Sequence, residues 1–310
     1  MSNSIKIRAT GSVANVSCGF DCLGYSLENP ADILEITQTD SDELLITMDG
    51  IGSESIPTIP EKNTAGKAVI SLLSSLNLKT GFSIKIIKGI PPGSGIGSSA
   101  SSAVGAVYGV NQLLGEPLSS NELLVHAMAG EAVASRGFHA DNIAPSLLGG
   151  MILIRSYDPL DIIQIPTPEN LWSTVVLPDY TVNTKTARDI LPNHVTLKSA
   201  IKQAGNLSGF ILGLVNSDFD LISRSMEDVF AEPVRHALIP GFKRVKNSAL
   251  ENGAIGCGIS GSGPSIFAFS NEKDSAEKIG VKMRNAFNKE GLSSKIYTSK
   301  INQNEPIILD

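Results

Sequence analysis

Apolar and charged positions alternate over residues 5–10 and 82–88, and each alternation predicts a strand with one buried face. The runs 31–37 and 43–48 read as two more strands, expected to pair with each other. A helix is predicted over 65–76, with Asn63 or Thr64 as its cap. A run of small residues over 100–114 predicts a second helix. A third opens at Ser119-Ser120-Asn121-Glu122, where Glu122 has capping-box spacing, and buries Leu123, Leu124, Ala127 and Met128. Residues 151–155 return to a strand.

The pattern changes over 157–170, where Pro159, Pro166 and Pro168 punctuate the chain. A domain boundary is expected there, giving units 1–168 and 169–310. The second unit opens with a strand over 171–178, then a short helix over 184–192 ended by proline. Helices follow over 196–215 and 218–226, and another runs to Asn252 with Pro240 in its first turn. Residues 254–259 and 265–269 read as strands around a tight glycine turn. Ala276, Ile279, Met283, Ala286 and Phe287 share one face of a helix capped by Asn271, and 293–299 is the expected last strand. Helices mixed with a mostly antiparallel sheet make an α+β fold.

Composition narrows the function classes. The 310 residues are 42% hydrophobic and 18% charged, enough for a large core and too apolar for disorder. The net charge of −6, with no basic block, gives nonspecific nucleic-acid binding no electrostatic support. Cys18, Cys22 and Cys257 are an odd number without metal-ligand spacing, which points to buried thiols in a reducing compartment. No apolar signal core opens the chain, and no run of membrane-spanning length follows. A soluble cytoplasmic protein without a membrane partner is the expectation.

The candidate chemistry centres on Pro91-Pro92-Gly93-Ser94-Gly95-Ile96-Gly97-Ser98-Ser99-Ala100-Ser101, between a strand and a helix. Alternate glycines permit backbone shapes that side chains forbid, and a helix start offers free N–H groups and a positive dipole end to a phosphate. The run is neither a Walker A loop nor a dinucleotide fingerprint. Phosphoryl transfer also needs oxygen ligands for a divalent metal and a means of aiming the acceptor. Ser98, Ser99 and Glu131 are the candidate Mg²⁺ ligands, Mg²⁺ being an ion that takes few protein ligands. Asp141 and Asn142, in the polar segment 139–145, are candidates to hold the acceptor. Each alone reads equally well as a cap or turn residue.

Three motifs carry a resemblance to the GHMP kinase superfamily. They are residues 91–101, the segment Cys257-Gly-Ile-Ser-Gly-Ser-Gly-Pro-Ser-Ile-Phe267, and Ala14-Asn15 with Gly19-Phe20-Asp21-Cys22-Leu23-Gly24. The last, with His139-Ala-Asp-Asn-Ile-Ala-Pro145 and Glu232-Pro-Val-Arg235, resembles the homoserine kinase family within it. The resemblance implies an N-terminal domain like domain 2 of ribosomal protein S5 and a ferredoxin-like C-terminal domain. It implies ATP and Mg²⁺ as cofactors, with Ser99 and Glu131 on the metal and Ser98 beside the phosphates. It implies L-homoserine as substrate, held by Asn15, Asp21, Asn142, Arg188 and Arg235, with L-threonine as feedback inhibitor; a homodimer is the expected assembly. Two arginines suit a carboxylate, and Asn15 and Asp21 supply acceptors for an ammonium. Asn142 then falls near the hydroxyl, with Asp141 the candidate base. Ile96 and Ala140 depart from the commoner residues of these motifs without removing a functional atom. The rivals are another GHMP kinase, such as one for mevalonate, a nicotinamide-dependent oxidoreductase, and a non-catalytic relative.

Overall fold

The computed structural model describes residues 3–135 and 139–310. Residues 4–165 form β1 (Ser4–Ala14), β2 (Leu23–Thr39), β3 (Leu44–Gly50), α1 (Thr64–Ser75), β4 (Gly81–Lys88), α2 (Ser98–Leu113), α3 (Ser120–Ser135), α4 (Ile143–Leu148), β5 (Met151–Tyr157) and β6 (Leu160–Ile165). The chain continues through β7 (Trp172–Pro178), α5 (Thr184–Asp189), α6 (Leu197–Asn216), α7 (Phe219–Ser225), α8 (Glu232–Arg235) and α9 (Phe242–Glu251). It closes with β8 (Gly256–Ile259), β9 (Ile266–Ser270), α10 (Lys273–Asn288), β10 (Ser294–Lys300) and β11 (Ile307–Leu309).

The first sheet runs β11-β1-β2-β4-β3, and β5 adds to the near end of β2 with β6 beyond it. The expected pairing of the second and third strands is not found. β4 lies between them, antiparallel to β2 and parallel to β3. A parallel pair needs a crossover, and α1 supplies it. β6, inside the proline-punctuated stretch, was not anticipated; it closes a hairpin with β5. β10 is not the last strand, because β11 returns to pair with β1. The second sheet runs β10-β7-β9-β8, all antiparallel. Counted along the chain, that order is fourth, first, third, second, which with α9 and α10 on one face is the ferredoxin-like arrangement.

Three apolar clusters hold these layers together. One lies between the first sheet and α1–α4 and includes Ile7, Leu34, Phe82, Val104 and Val107. A second fills the seam between the two sheets, where Tyr25 meets Phe267 and Phe269 with ring centroids 6.0 and 5.3 Å away. The third packs β7–β9 against α9 and α10. The caps follow the local chemistry. Asn63 accepts from the N–H groups of Ala65 and Gly66 at the start of α1. Glu122 reaches back to the Ser119 N–H at 2.8 Å. α9 starts at Phe242, after Gly241, so Pro240 stays outside it, and α10 has Glu272 as its N-cap rather than Asn271.

One buried polar knot braces the turn out of β4. The alternation that buries Phe82, Ile84 and Ile86 also buries Lys88. Its ammonium pairs with Asp32 and donates to the Ser98 carbonyl at 2.8 Å and to Ser102 Oγ at 2.9 Å. The other Asp32 oxygen accepts the N–H groups of Gly89 and Ile90, at 3.0 and 3.1 Å. The pair thus ties β2, the end of β4 and the first turn of α2 to one point. Removing only one partner leaves a buried charge, which costs far more than the pair contributes. Lys88→Ala is expected to lose about 3–5 kcal/mol in urea unfolding, with partial recovery in Lys88→Ala/Asp32→Ala. A loss within ~0.5 kcal/mol, that of an ordinary surface change, would remove the knot from the account.

Candidate active site

A cleft of about 430 Å³, lined by residues of both halves of the chain, falls within the range of small-molecule sites. Pro92 to Ser99 form one wall, and Arg188, Arg235 and Gly261 another. Gly93, Gly95 and Gly97 all adopt left-handed backbone, with φ of 69, 78 and 71°. A Cβ on Gly95 would lie 2.6 Å from the Gly263 carbonyl oxygen and 2.7 Å from that of Ser260, so only glycine allows this approach.

The carbonyl oxygens of Ser94, Gly95 and Ile96 are each bound by a residue that does not line the cleft. Ser265 Oγ donates to the Ser94 oxygen at 2.7 Å, and Ser260 Oγ to the Gly95 oxygen at 2.7 Å. The Ile96 oxygen takes the Ser12 N–H at 3.2 Å, where the register of β1 shifts and frees that donor from the ladder. Among the described residues, the N–H groups of Gly93 to Ala100 have no protein acceptor. Those N–H groups and the start of α2 offer donors to an anion. Ser94 Oγ is buried without a protein partner and lines the cleft, which suits a hydroxyl reserved for a ligand.

The two serines that begin α2 diverge. Ser98 Oγ donates to the Ile90 carbonyl at 2.8 Å and locks the loop. Ser99 Oγ lies 2.6 Å from Glu131 Oε2. Burial pushes the Glu131 carboxyl up to about 7, against the pull of Ser99 and Lys88. A desolvated carboxylate beside a hydroxyl is a fitting donor pair for Mg²⁺, which takes oxygen ligands and keeps phosphates and water in its shell. Among the described residues no cluster of three or more His, Cys, Asp or Glu could hold an ion alone.

The same cleft carries the amino-acid candidates. Asn15, Val16 and Ser17 take φ of 69, 42 and 58°, three consecutive non-glycine residues in the left-handed region. Such strain persists only where surroundings overdetermine it. Asn15 supplies that constraint: its Nδ2 donates to the Gly261 oxygen at 2.8 Å, and its Oδ1 takes the Asp21 N–H at 2.9 Å. Arg188, on α5, forks onto Asp21 at 2.6 and 3.1 Å. Arg235, on α8, donates Nε to the Ala187 oxygen at 3.0 Å and Nη1 to the Gly261 oxygen at 3.1 Å. Asn142 Oδ1 accepts from Ser12 Oγ at 2.9 Å. Asp141 beside it is buried, and burial followed by the nearby Asp21 charge pushes its carboxyl up to about 7.

Pro92, Gly93, Ser94, Gly95, Gly97, Ser98 and Ser99 of the glycine loop, with Asn15, Asp21, Glu131, Asp141, Asn142, Arg188 and Arg235, line one cleft, whereas Pro91, Ile96, Ala100 and Ser101 do not. Lys88, Thr184 and His139 also line it, Ser12 stands behind Asn142, and of these only His139 lies in a segment that the sequence marks. Lys88 was legible in principle, since it sits on the buried phase of its strand. No pattern marks Ser12 or Thr184.

A family match agrees with this geometry. The GHMP kinases N terminal domain matches residues 63–150, and the GHMP kinases C terminal domain matches 210–289. The chain is 44% identical over 305 residues to the homoserine kinase of Chlorobium phaeobacteroides (strain BS1), covering 94% of this chain and 95% of that one. It is 41% identical over 265 residues to the homoserine kinase of Methanococcus vannielii, covering 85% of this chain and 87% of the relative. The crystal structure of homoserine kinase from Cytophaga hutchinsonii superposes with a TM-score of 0.97 at 46% identity, covering 100% of this chain and 98% of that one. The mevalonate kinase of L. major, solved with R-mevalonate, superposes at 0.71 with 16% identity, covering 97% and 98% of the two chains, and shares the fold.

A carboxyl whose folded pKa is raised gains protons on folding, so its contribution favours the folded state below the unfolded value and is lost as pH rises through the folded one. For Asp141 that window runs from its ordinary 3.8 to about 7. Asp141→Asn is expected to raise the stability of the ligand-free protein at pH 8 by about 2 kcal/mol, and to leave it unchanged at pH 4, measured by thermal unfolding. Destabilisation at pH 8 would show that the carboxylate is satisfied.

Proposed function

The chain belongs to the homoserine kinases of the GHMP kinase family, and from that premise we propose that its cleft transfers the terminal phosphoryl group of Mg-ATP to the side-chain hydroxyl of L-homoserine, giving O-phospho-L-homoserine. The observation that carries this reading is the cleft-lining glycine loop, whose carbonyls are tied back while its N–H groups have no protein acceptor among the described residues. These groups receive the triphosphate. Ser99 and Glu131 hold the magnesium, which neutralises phosphate charge when bound. Ser98 acts through the loop it locks rather than at the metal.

Homoserine presents an ammonium, a carboxylate and a terminal hydroxyl. Asp21 accepts from the ammonium, and Asn15 holds Asp21 in place through its N–H. Arg188 and Arg235 clamp the carboxylate; a guanidinium has donors to spare beyond those already engaged. The Asn142 carboxamide, fixed by Ser12, aligns the hydroxyl with the phosphate loop. Asp141 accepts the hydroxyl proton, since a carboxyl near 7 is poised for transfer at neutral pH. Most of the rate then comes from positioning and fixed dipoles. L-Threonine shares the charged head of homoserine and is proposed to compete at the same clamp. The division into 1–168 and 169–310 and the homodimer belong to the same proposal. The second sheet, opening at Trp172, supports the division, although Ile307–Leu309 completes the first sheet.

ATP consumption measured side by side is expected to be fastest with homoserine, and slow with mevalonate, galactose and shikimate. A preference for mevalonate would overturn the assignment. Asp141→Asn is expected to lower kcat at least about 100-fold and to remove the rise of kcat/KM between pH 6 and 8, flanking its pKa of about 7. A twofold loss with the profile intact would take the base role from Asp141.

A further inference from the structure

Phe20 is a large apolar residue that belongs to none of the three core clusters. It stands half-buried at the tip of the turn 19–22, whose backbone is closed by Cys22 and Leu23 N–H bonds to the Gly19 oxygen at 2.9 and 2.8 Å. Its ring faces two cations. The Arg188 guanidinium carbon lies 5.6 Å from the ring centroid, and that of Arg235 lies 5.2 Å away. We propose that Phe20 is the positioning residue of the carboxylate clamp, its ring holding both guanidinium groups on one wall of the cleft before an amino acid arrives. This rests on the reading of Arg188 and Arg235 as that clamp.

Two guanidinium groups brought together without an anion repel each other. Arg188 has the Asp21 carboxylate as a counter-charge. Arg235 makes no ion pair among the described residues; its partners are two carbonyl oxygens and the ring. Its charge is disfavoured first by burial and then by Arg188 itself. The negative face of an aromatic ring attracts a cation, more strongly where water is excluded. A ring shared by both arginines offsets part of their repulsion and fixes their spacing, so a carboxylate finds its partners already placed. An aliphatic residue of similar size would fill the same volume without a negative face.

The test compares Phe20→Leu and Phe20→Met, which keep bulk, with Phe20→Tyr, which keeps the ring. Both aliphatic variants are expected to raise KM for homoserine about tenfold, or about 1.4 kcal/mol, the size of a desolvated cation–π contact. Their kcat and KM for ATP should stay within about twofold of the parent, a spread too small to reflect a lost cation–π contact. Phe20→Tyr should remain near the parent. With 3-aminopropan-1-ol, homoserine without its carboxylate, parent and Phe20→Leu should have the same KM. Parent-like KM for homoserine in both aliphatic variants, or equal losses with both substrates, would overturn the proposal. Arg235→Ala separates this from failure of the clamp. If it raises KM for homoserine and the Phe20 variants do not, only the role of Phe20 fails. If Arg235→Ala also leaves KM unchanged, the clamp reading fails with it.

Discussion

A loop that is to hold a polyanion must first dispose of its own carbonyl oxygens. In this protein Ser265, Ser260 and Ser12 bind the oxygens of Ser94, Gly95 and Ile96 from behind, and the N–H groups are left to the cleft. Two of the three donors come from the second half of the chain. The glycine loop is therefore a joint product of both halves of the chain, although all its residues lie in the first. Gly95 permits the contact, since any side chain there would strike the backbone of the second glycine turn. The positive φ values of the loop are a consequence of the same demand, turning successive amides to one side.

The same seam serves the amino-acid end. Asn15 bridges to Gly261, and Gly261 in turn accepts from Arg235 and donates to the Ala14 oxygen. The strained turn 15–17, the second glycine turn and one arginine are thus a single hydrogen-bonded unit. Charge is only partly balanced across it. Asp21 neutralises Arg188, while Asp141 and Glu131 sit in surroundings that resist their ionisation. A ligand with an ammonium, a carboxylate and phosphates nearby would supply further counter-charges there. Carboxyls whose ionisation is resisted in this way cluster at functional sites.

Much of this was legible in the chain, for identifiable reasons. The glycine loop and its helix could be read because proline, glycine and serine act locally, through φ and capping. The Asn63 cap and the Ser119–Glu122 box were legible on the same ground. Partnership between strands was not: alternation buries one face of β2 and β3 but does not reveal that β4 lies between them. Leu160–Ile165 was hidden by the prolines on either side of it. Asp32 and Lys88 looked like ordinary polar positions, although the strand phase places Lys88 inward. Phe20 read as one residue of a motif, and its meeting with two arginines 168 and 215 positions later depends on tertiary contact alone.

The central claim is that tied-back carbonyls leave N–H groups of residues 93–100 as the seat of the triphosphate. The most direct measurement is a crystal structure with a non-hydrolysable ATP analogue and Mg²⁺. The account predicts phosphate oxygens on those N–H groups and the ion on Ser99 and Glu131. Phosphates bound elsewhere, with the loop amides facing only water, would contradict it.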